Sequence, residues 1–371
     1  MSKYLTDYPN EAVADSVTIH QLLTHTSGMT SFWEEYDKLA KEKFKTVSDF
    51  LPLYVNKKLA FSPGSDFLYS NSGYMVLGLL IEKITGENYF DFVKEHIYNP
   101  AKMMDTDSYE LDEAVSNLAT GYMMSLEKPG QWKNNIFLNP TKGTPAGGGY
   151  STADDLLKFA NALQNNILLS KASVTLSTSG KVKYRAGMYG YGFEENTING
   201  QRIIGHTGGH DGVASELMIF PDLDYTVVIL TNGEVENYWE VSNLIKKQLV
   251  GSTPAIDNFF YTKDVIKIIC NKGYQAGIKE IENNSKKYSL RENLIERYGY
   301  KLLFEKKYSQ AIDLFKLNIH SFPDSAYGYY NISEAYTVSK QNKEALEYLK
   351  LYIEKEPEDI DAKLKYKLLT K

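Results

Sequence analysis

At 371 residues, 43% of them hydrophobic, the chain is long enough to bury a large core and to fold as two domains. A formal net charge of −6, with no long basic run and no basic stripe interleaved with aromatics, argues against nucleic acid as a partner. The only cysteine, Cys270, excludes an intrachain disulfide and a cysteine-based zinc cluster, and no apolar run approaches the ~20 residues of a membrane span.

Taken in chain order, residues 1–7 carry no apolar core of the signal-peptide kind. Ile19, Leu22 and Leu23 recur at helical spacing and predict a helix over 16–23. A second is predicted over 72–85, with Leu77, Leu80, Ile81 and Ile84 as its buried face and Gly86 as its stop. A third starts at Thr152, which can cap it while Asp155 bonds back, ahead of Leu156, Leu157, Phe159 and Leu163. Strands are predicted over 187–193, 201–206, 214–220 and 225–231, separated by Asn199-Gly200, Gly208-Gly209 and Pro221-Asp222. They suggest an antiparallel meander. The run Thr226 to Leu230 is apolar, so it is expected to be a central strand covered by helices on both faces.

The texture changes near Gly251-Ser252-Thr253-Pro254, a turn-forming stretch. Beyond it the pattern is helical throughout and repeats. Ala311 and Ala345, Pro323 and Pro357, Ile312 and Leu346, and Lys316 and Lys350 each stand one period apart. That period is the 34 residues of the tetratricopeptide repeat, which this region resembles. Tyr274-Gln275-Ala276-Gly277-Ile278 falls where an earlier, degenerate unit is expected.

Short motifs in the first part form an ordered set: Leu22-Leu23-Thr24-His25-Thr26-Ser27-Gly28, Tyr69-Ser70-Asn71, Ala146-Gly147-Gly148-Gly149-Tyr150-Ser151-Thr152 and His206-Thr207-Gly208-Gly209. Acyl transfer needs a nucleophile, a base for its proton and donors for the developing oxyanion. In that order the motifs resemble the class C β-lactamase-like serine hydrolases, a family of β-lactamases, penicillin-binding proteins, D-aminopeptidases and esterases. The resemblance implies an α/β (α+β) fold with an antiparallel sheet flanked by helices over residues 1–250, a linker over 251–262, and an all-α helical-repeat domain over 263–371. It implies catalytic roles for Tyr69, Asn71 and His206, and a substrate-facing or oxyanion position for Ser70, Thr207, Gly208 and Gly209. Tyr69 would be the base, needing positive charge nearby because a free tyrosine has a pKa of ~10. His206 stands where many relatives carry lysine, and His25 reads as part of a turn that shapes the site.

The family's Ser-x-x-Lys nucleophile motif is matched only by Ser125-Leu126-Glu127-Lys128, in the wrong order and running into Pro129-Gly130, and it is read as chance. Family spacing puts the true motif ahead of Met1, so the expected activity is hydrolysis of amide or ester bonds by an enzyme family whose nucleophile this chain lacks. The 371 residues would then be catalytically silent, with an apolar groove and an unpaired strand edge. No metal or cofactor is expected. The expected partners are a small-molecule or peptide substrate and a protein partner on the repeats; relatives are usually exported.

Overall fold

The computed structural model describes residues 1–125, 131–233 and 235–370. It comprises two compact units, Met1–Met123 with Asn134–Ser242 and Met124–Lys133 with Asn243–Lys371.

In the first unit, short helices build an aromatic-rich core from Val17, Leu22, Phe32, Tyr36, Phe50, Met75 and Val76. The predicted helix over 16–23 is α2 (Ile19–Leu23), which starts three residues later than expected, and a separate helix α1 (Glu11–Ser16) precedes it. Thr18 stays extended between them and forms a capping box with Gln21, so the cap sets where α2 begins. Helix α3 (Asn71–Thr85) matches its predicted span, with Gly86 at φ 76° ending it. Its buried face differs: Ser72, Met75, Val76 and Leu80 are buried whereas Ile84 is 56% exposed. Gly73 and Gly78 lie on the packed side, and a Cβ at Gly78 would strike the Pro145 ring. Close approach by small residues rotates the contact face away from the one apolar residues alone suggest. Helix α4 (Ala153–Gln164) is capped by Thr152 as expected. Asp155 does not complete the box, because its carboxylate accepts from Asp105 N, Thr106 Oγ1 and Lys158 Nζ.

Six strands follow as a sequential antiparallel meander: β1 (Val182–Tyr184), β2 (Gly187–Tyr189), β3 (Glu194–Ile198), β4 (Gln201–His210), β5 (Val213–Phe220) and β6 (Tyr225–Thr231). The predicted strand over 187–193 breaks after Tyr189. Asn199 at φ 49° and Gly200 at φ 80° make the two-residue hairpin. Gly208 and Gly209 are not a turn. They lie inside β4, and the chain reverses at Asp211-Gly212. Among the described residues β6 pairs with β5 alone, with Leu230 41% exposed, so the expectation of a central strand covered on both faces is corrected. An apolar run gives hydrophobicity and cannot give the number of neighbours. Ala160 and Leu163 of α4 pack on Ile204 and Ile219. Helix α5 (Val235–Val250) brings the Tyr238 and Ser242 hydroxyls to the buried Glu216 carboxylate.

The helical part contains α6 (Pro254–Lys272), α7 (Tyr274–Asn284), α8 (Glu292–Phe304), α9 (Tyr308–Ser321), α10 (Tyr327–Val338), α11 (Asn342–Lys355) and α12 (Ile360–Leu369). Residues 251–262, expected as a linker, mostly belong to α6, which Thr253 caps and Pro254 opens. Helices α7, α9 and α11 start at Tyr274, Tyr308 and Asn342, each one 34-residue period after the last. Lys306 and Lys340, also one period apart, both turn the chain at positive φ, 61° and 62°. Small residues sit where these helices touch: a Cβ on Gly299 would strike the Phe315 ring, and Ala311 and Ala345 are fully buried.

Candidate active site

Tyr69 ends an extended segment directly ahead of α3, and the local sequence fixes its place. Ser70 Oγ accepts from Gly73 N at 3.0 Å as the helix cap. Ser70 N donates to His25 Nδ1 at 3.0 Å. Ser70 is wholly buried, with its hydroxyl engaged in capping the helix. Ser215 stands opposite Gly208 in the β4–β5 ladder.

His25 is 1% exposed and takes φ 57°, a left-handed conformation that non-glycine residues adopt rarely. Its ring lies between Tyr69 (centroids 4.0 Å apart, interplanar angle 30°) and Tyr74 (4.9 Å, 24°), with Tyr189 edge-on at 4.9 Å. Burial, and then the charge of His206, pull its pKa down to about 3, so the ring is neutral at ordinary pH.

His206 lies on β4 with its ring centroid 6.2 Å from that of Tyr69. Strand β3 pairs with β4 only as far as Gly205, and residues 206–210 pair with β5 alone. Beyond Gly205, therefore, one edge of β4 meets no strand among the described residues, and that edge carries His206, Thr207, Gly208 and Gly209. Thr207 Oγ1 donates to Glu194 Oε1 at 2.9 Å. A Cβ at Gly208 would meet the Ser215 hydroxyl, whereas one at Gly209 would make only an ordinary contact with Val213 O. Asn71 Nδ2 reaches Ser31 Oγ at 3.4 Å, which ties it to the 24–31 segment.

Electrostatically the site opposes a phenolate. The Tyr69 hydroxyl is pushed up to about 12, first by burial and then by Tyr74, Tyr184 and Glu194, with Arg185 pulling the other way. Arg185 stacks over the Tyr184 ring at 4.8 Å. A base with this pKa needs a cation closer to its oxygen than Arg185 supplies.

The structure thus brings Tyr69 and His206 together and sets Thr207, Gly208 and Gly209 along an open strand edge. Sequence reasoning missed Tyr189 and Tyr74 and saw His25 only as a turn. The Tyr189 hydroxyl lies 3.2 Å from His25 Nε2 and 2.9 Å from His206 Nε2. A Tyr-Gly-Tyr-Gly run at 189–192 was the one available signal.

His206 and His210 stand four residues apart, a metal-ligand spacing on a helix, but four residues of strand separate them by about 13 Å, and His210 instead packs on Trp33. Away from the site, Glu87, Glu95 and His96 bring ligand atoms within 4.8 Å of one another on the surface. Leu126, Glu127 and Lys128 of the chance Ser-x-x-Lys match lie outside the described residues.

Residues 1–248 match the model of the Beta-lactamase family. The chain is 29% identical over 259 residues to penicillin-binding protein 4* of Bacillus subtilis, covering 65% of this chain and 56% of that one. It is 34% identical over 131 residues to the mouse mitochondrial serine beta-lactamase-like protein LACTB, covering 35% of this chain and 23% of that one. It therefore spans only part of these relatives. Among solved structures, a penicillin-binding protein from Bacillus halodurans superposes with a TM-score of 0.61 at 28% identity, over 66% of this chain and 76% of that one.

Proposed function

The chain belongs to the Beta-lactamase family over residues 1–248, and on that footing we propose that it carries the base and substrate-binding half of a serine hydrolase acting on amide or ester bonds through an acyl-enzyme. The observation that carries this reading is the placement of the Tyr69 ring 6.2 Å from that of His206, which stands at the start of the β4 stretch that meets no second strand among the described residues. In the proposed reaction the lysine of the Ser-x-x-Lys motif holds Tyr69 as its phenolate, and a serine Oγ attacks the substrate carbonyl while its proton passes to that oxygen. The tetrahedral oxyanion takes a hydrogen bond from Gly209 N–H. Collapse expels the amine or alcohol, which leaves with the proton from Tyr69, and water then hydrolyses the ester. Asn71 orients the substrate. Glycine at 209 leaves room for the acyl group. The serine and its partner lysine belong to a Ser-x-x-Lys motif that the sequence lacks outside its chance match.

The test joins a Ser-x-x-Lys segment of a family relative ahead of the chain and labels the product with a fluorophosphonate and with a fluorescent penicillin. Labelling at an upstream serine is expected, and Tyr69→Phe should slow it at least ~100-fold, the usual scale of general base catalysis, without moving the melting temperature. Undiminished labelling in Tyr69→Phe would remove Tyr69 from the reaction.

A second role attaches to residues 263–371. The common 34-residue offset of three helix starts and of two left-handed lysines supports reading them as tetratricopeptide-like repeats that hold a protein partner.

A further inference from the structure

A single tyrosine hydroxyl stands between two histidines, and the groups at the far ends of those histidines decide where the ring protons lie. The Ser70 amide can only donate, so His25 Nδ1, which receives it at 3.0 Å, is the bare nitrogen. His25 is neutral, so its proton is on Nε2 and is donated to Tyr189 Oη at 3.2 Å. At the other end, the Thr207 carbonyl can only accept, so His206 Nδ1, which faces it, carries a proton. In neutral His206 the Nε2 is then bare and receives the Tyr189 O–H at 2.9 Å. Both ends require the same direction of donation through one hydroxyl, and the Tyr74 oxygen, which also pairs with Tyr189 while Tyr74 donates to Leu23 O, competes with His206 for the Tyr189 proton.

We propose that Tyr189 is a positioning residue that holds the ring of His206 in its Nδ1–H form at Nε2, with His25 the buried anchor that orients the Tyr189 proton. Tyr189 is 1% exposed, so water does not compete for that proton. His206 consequently offers substrate neither ring nitrogen. The geometry makes His206 a fixed wall of the strand edge, with Nδ1 on the Thr207 carbonyl and Nε2 on the Tyr189 hydroxyl. As a statement about catalysis this rests on the acyl-transfer reading above. As a statement about protons it does not.

The experiment is long-range proton–nitrogen correlation NMR of the chain with ¹⁵N-labelled histidine, at a pH where both rings are neutral. The expected wild-type spectrum has His25 as Nε2–H and His206 as Nδ1–H, each a single tautomer. In Tyr189→Phe both rings should keep these tautomers, His25 through the Ser70 N–H and His206 through the Thr207 carbonyl, while the His206 Nε2 resonance shifts on losing the donor that positions it. A variant that merely loosened the fold would disturb both rings alike, and the wild-type spectrum alone already decides the tautomer. His206 found as Nε2–H in the wild type, or with its Nε2 resonance unchanged in Tyr189→Phe, would overturn the proposal. The predicted tautomers together with undiminished labelling in Tyr69→Phe would leave it standing while removing the acyl-transfer reading.

Discussion

His25 holds a strained backbone and a neutral, buried imidazole at once, and both have measurable costs. Its unfolded counterpart takes up a proton near pH ~6.5, whereas the folded ring does so only at about 3. Between those values the unfolded state binds more protons, so stability falls as pH falls, by up to roughly 5 kcal/mol across the window. His25→Asn isolates this contribution, since asparagine tolerates the left-handed backbone and its side-chain oxygen can take the Ser70 N–H. The variant should be less stable near neutral pH, having lost the stacking of two tyrosine rings, and its denaturant midpoint should vary less between about pH 4 and pH 7 than that of the wild type. An equally steep pH dependence in the variant would show that another group sets it. Ser70→Ala removes the α3 cap and leaves the Gly73 N–H without its acceptor; a loss of about 1 kcal/mol in chemical denaturation is expected. A loss near zero would mean that the cap does not hold Tyr69 in place.

At the scale of elements, what the sequence disclosed depended on whether a local signal decided the outcome. Thr152 and Gly86 begin and end their helices through bonds made within a few residues, and Asn199-Gly200 makes its hairpin for the same reason. The buried face of α3 was misread because Pro145 packs against Gly78, a contact invisible to periodicity. The apolar run of β6 was taken for a central strand because composition says nothing about pairing partners. In the helical part the period itself was legible, and it carries a prediction. Lys306 and Lys340 hold equivalent left-handed turns in which a side chain is strained. Lys340→Gly should therefore raise stability by a few tenths to about 1 kcal/mol, the relief of strain outweighing the added freedom of the unfolded chain. A drop in melting temperature would show that the lysine side chain contributes more than its backbone costs.

At the scale of the whole molecule, the order of the motifs was enough to indicate the family, because Thr24 to Gly28, Tyr69 to Asn71 and His206 to Gly209 each keep their own local chemistry. The assembly of the site was not legible. His25 and Tyr189 meet across 164 residues of sequence, and no local pattern announces that the second tyrosine bridges two histidines. Nor did the motifs show that Ser70, central to one of them, is spent on capping a helix. Under the proposed function Tyr69 is a base and residues 206–209 a binding edge, and outside its chance match the sequence holds no Ser-x-x-Lys motif. Intact-mass spectrometry of the 371-residue chain after exposure to a fluorophosphonate tests that most directly. The account predicts an unmodified mass, while stoichiometric acquisition of one adduct on a serine within residues 1–371 would contradict it.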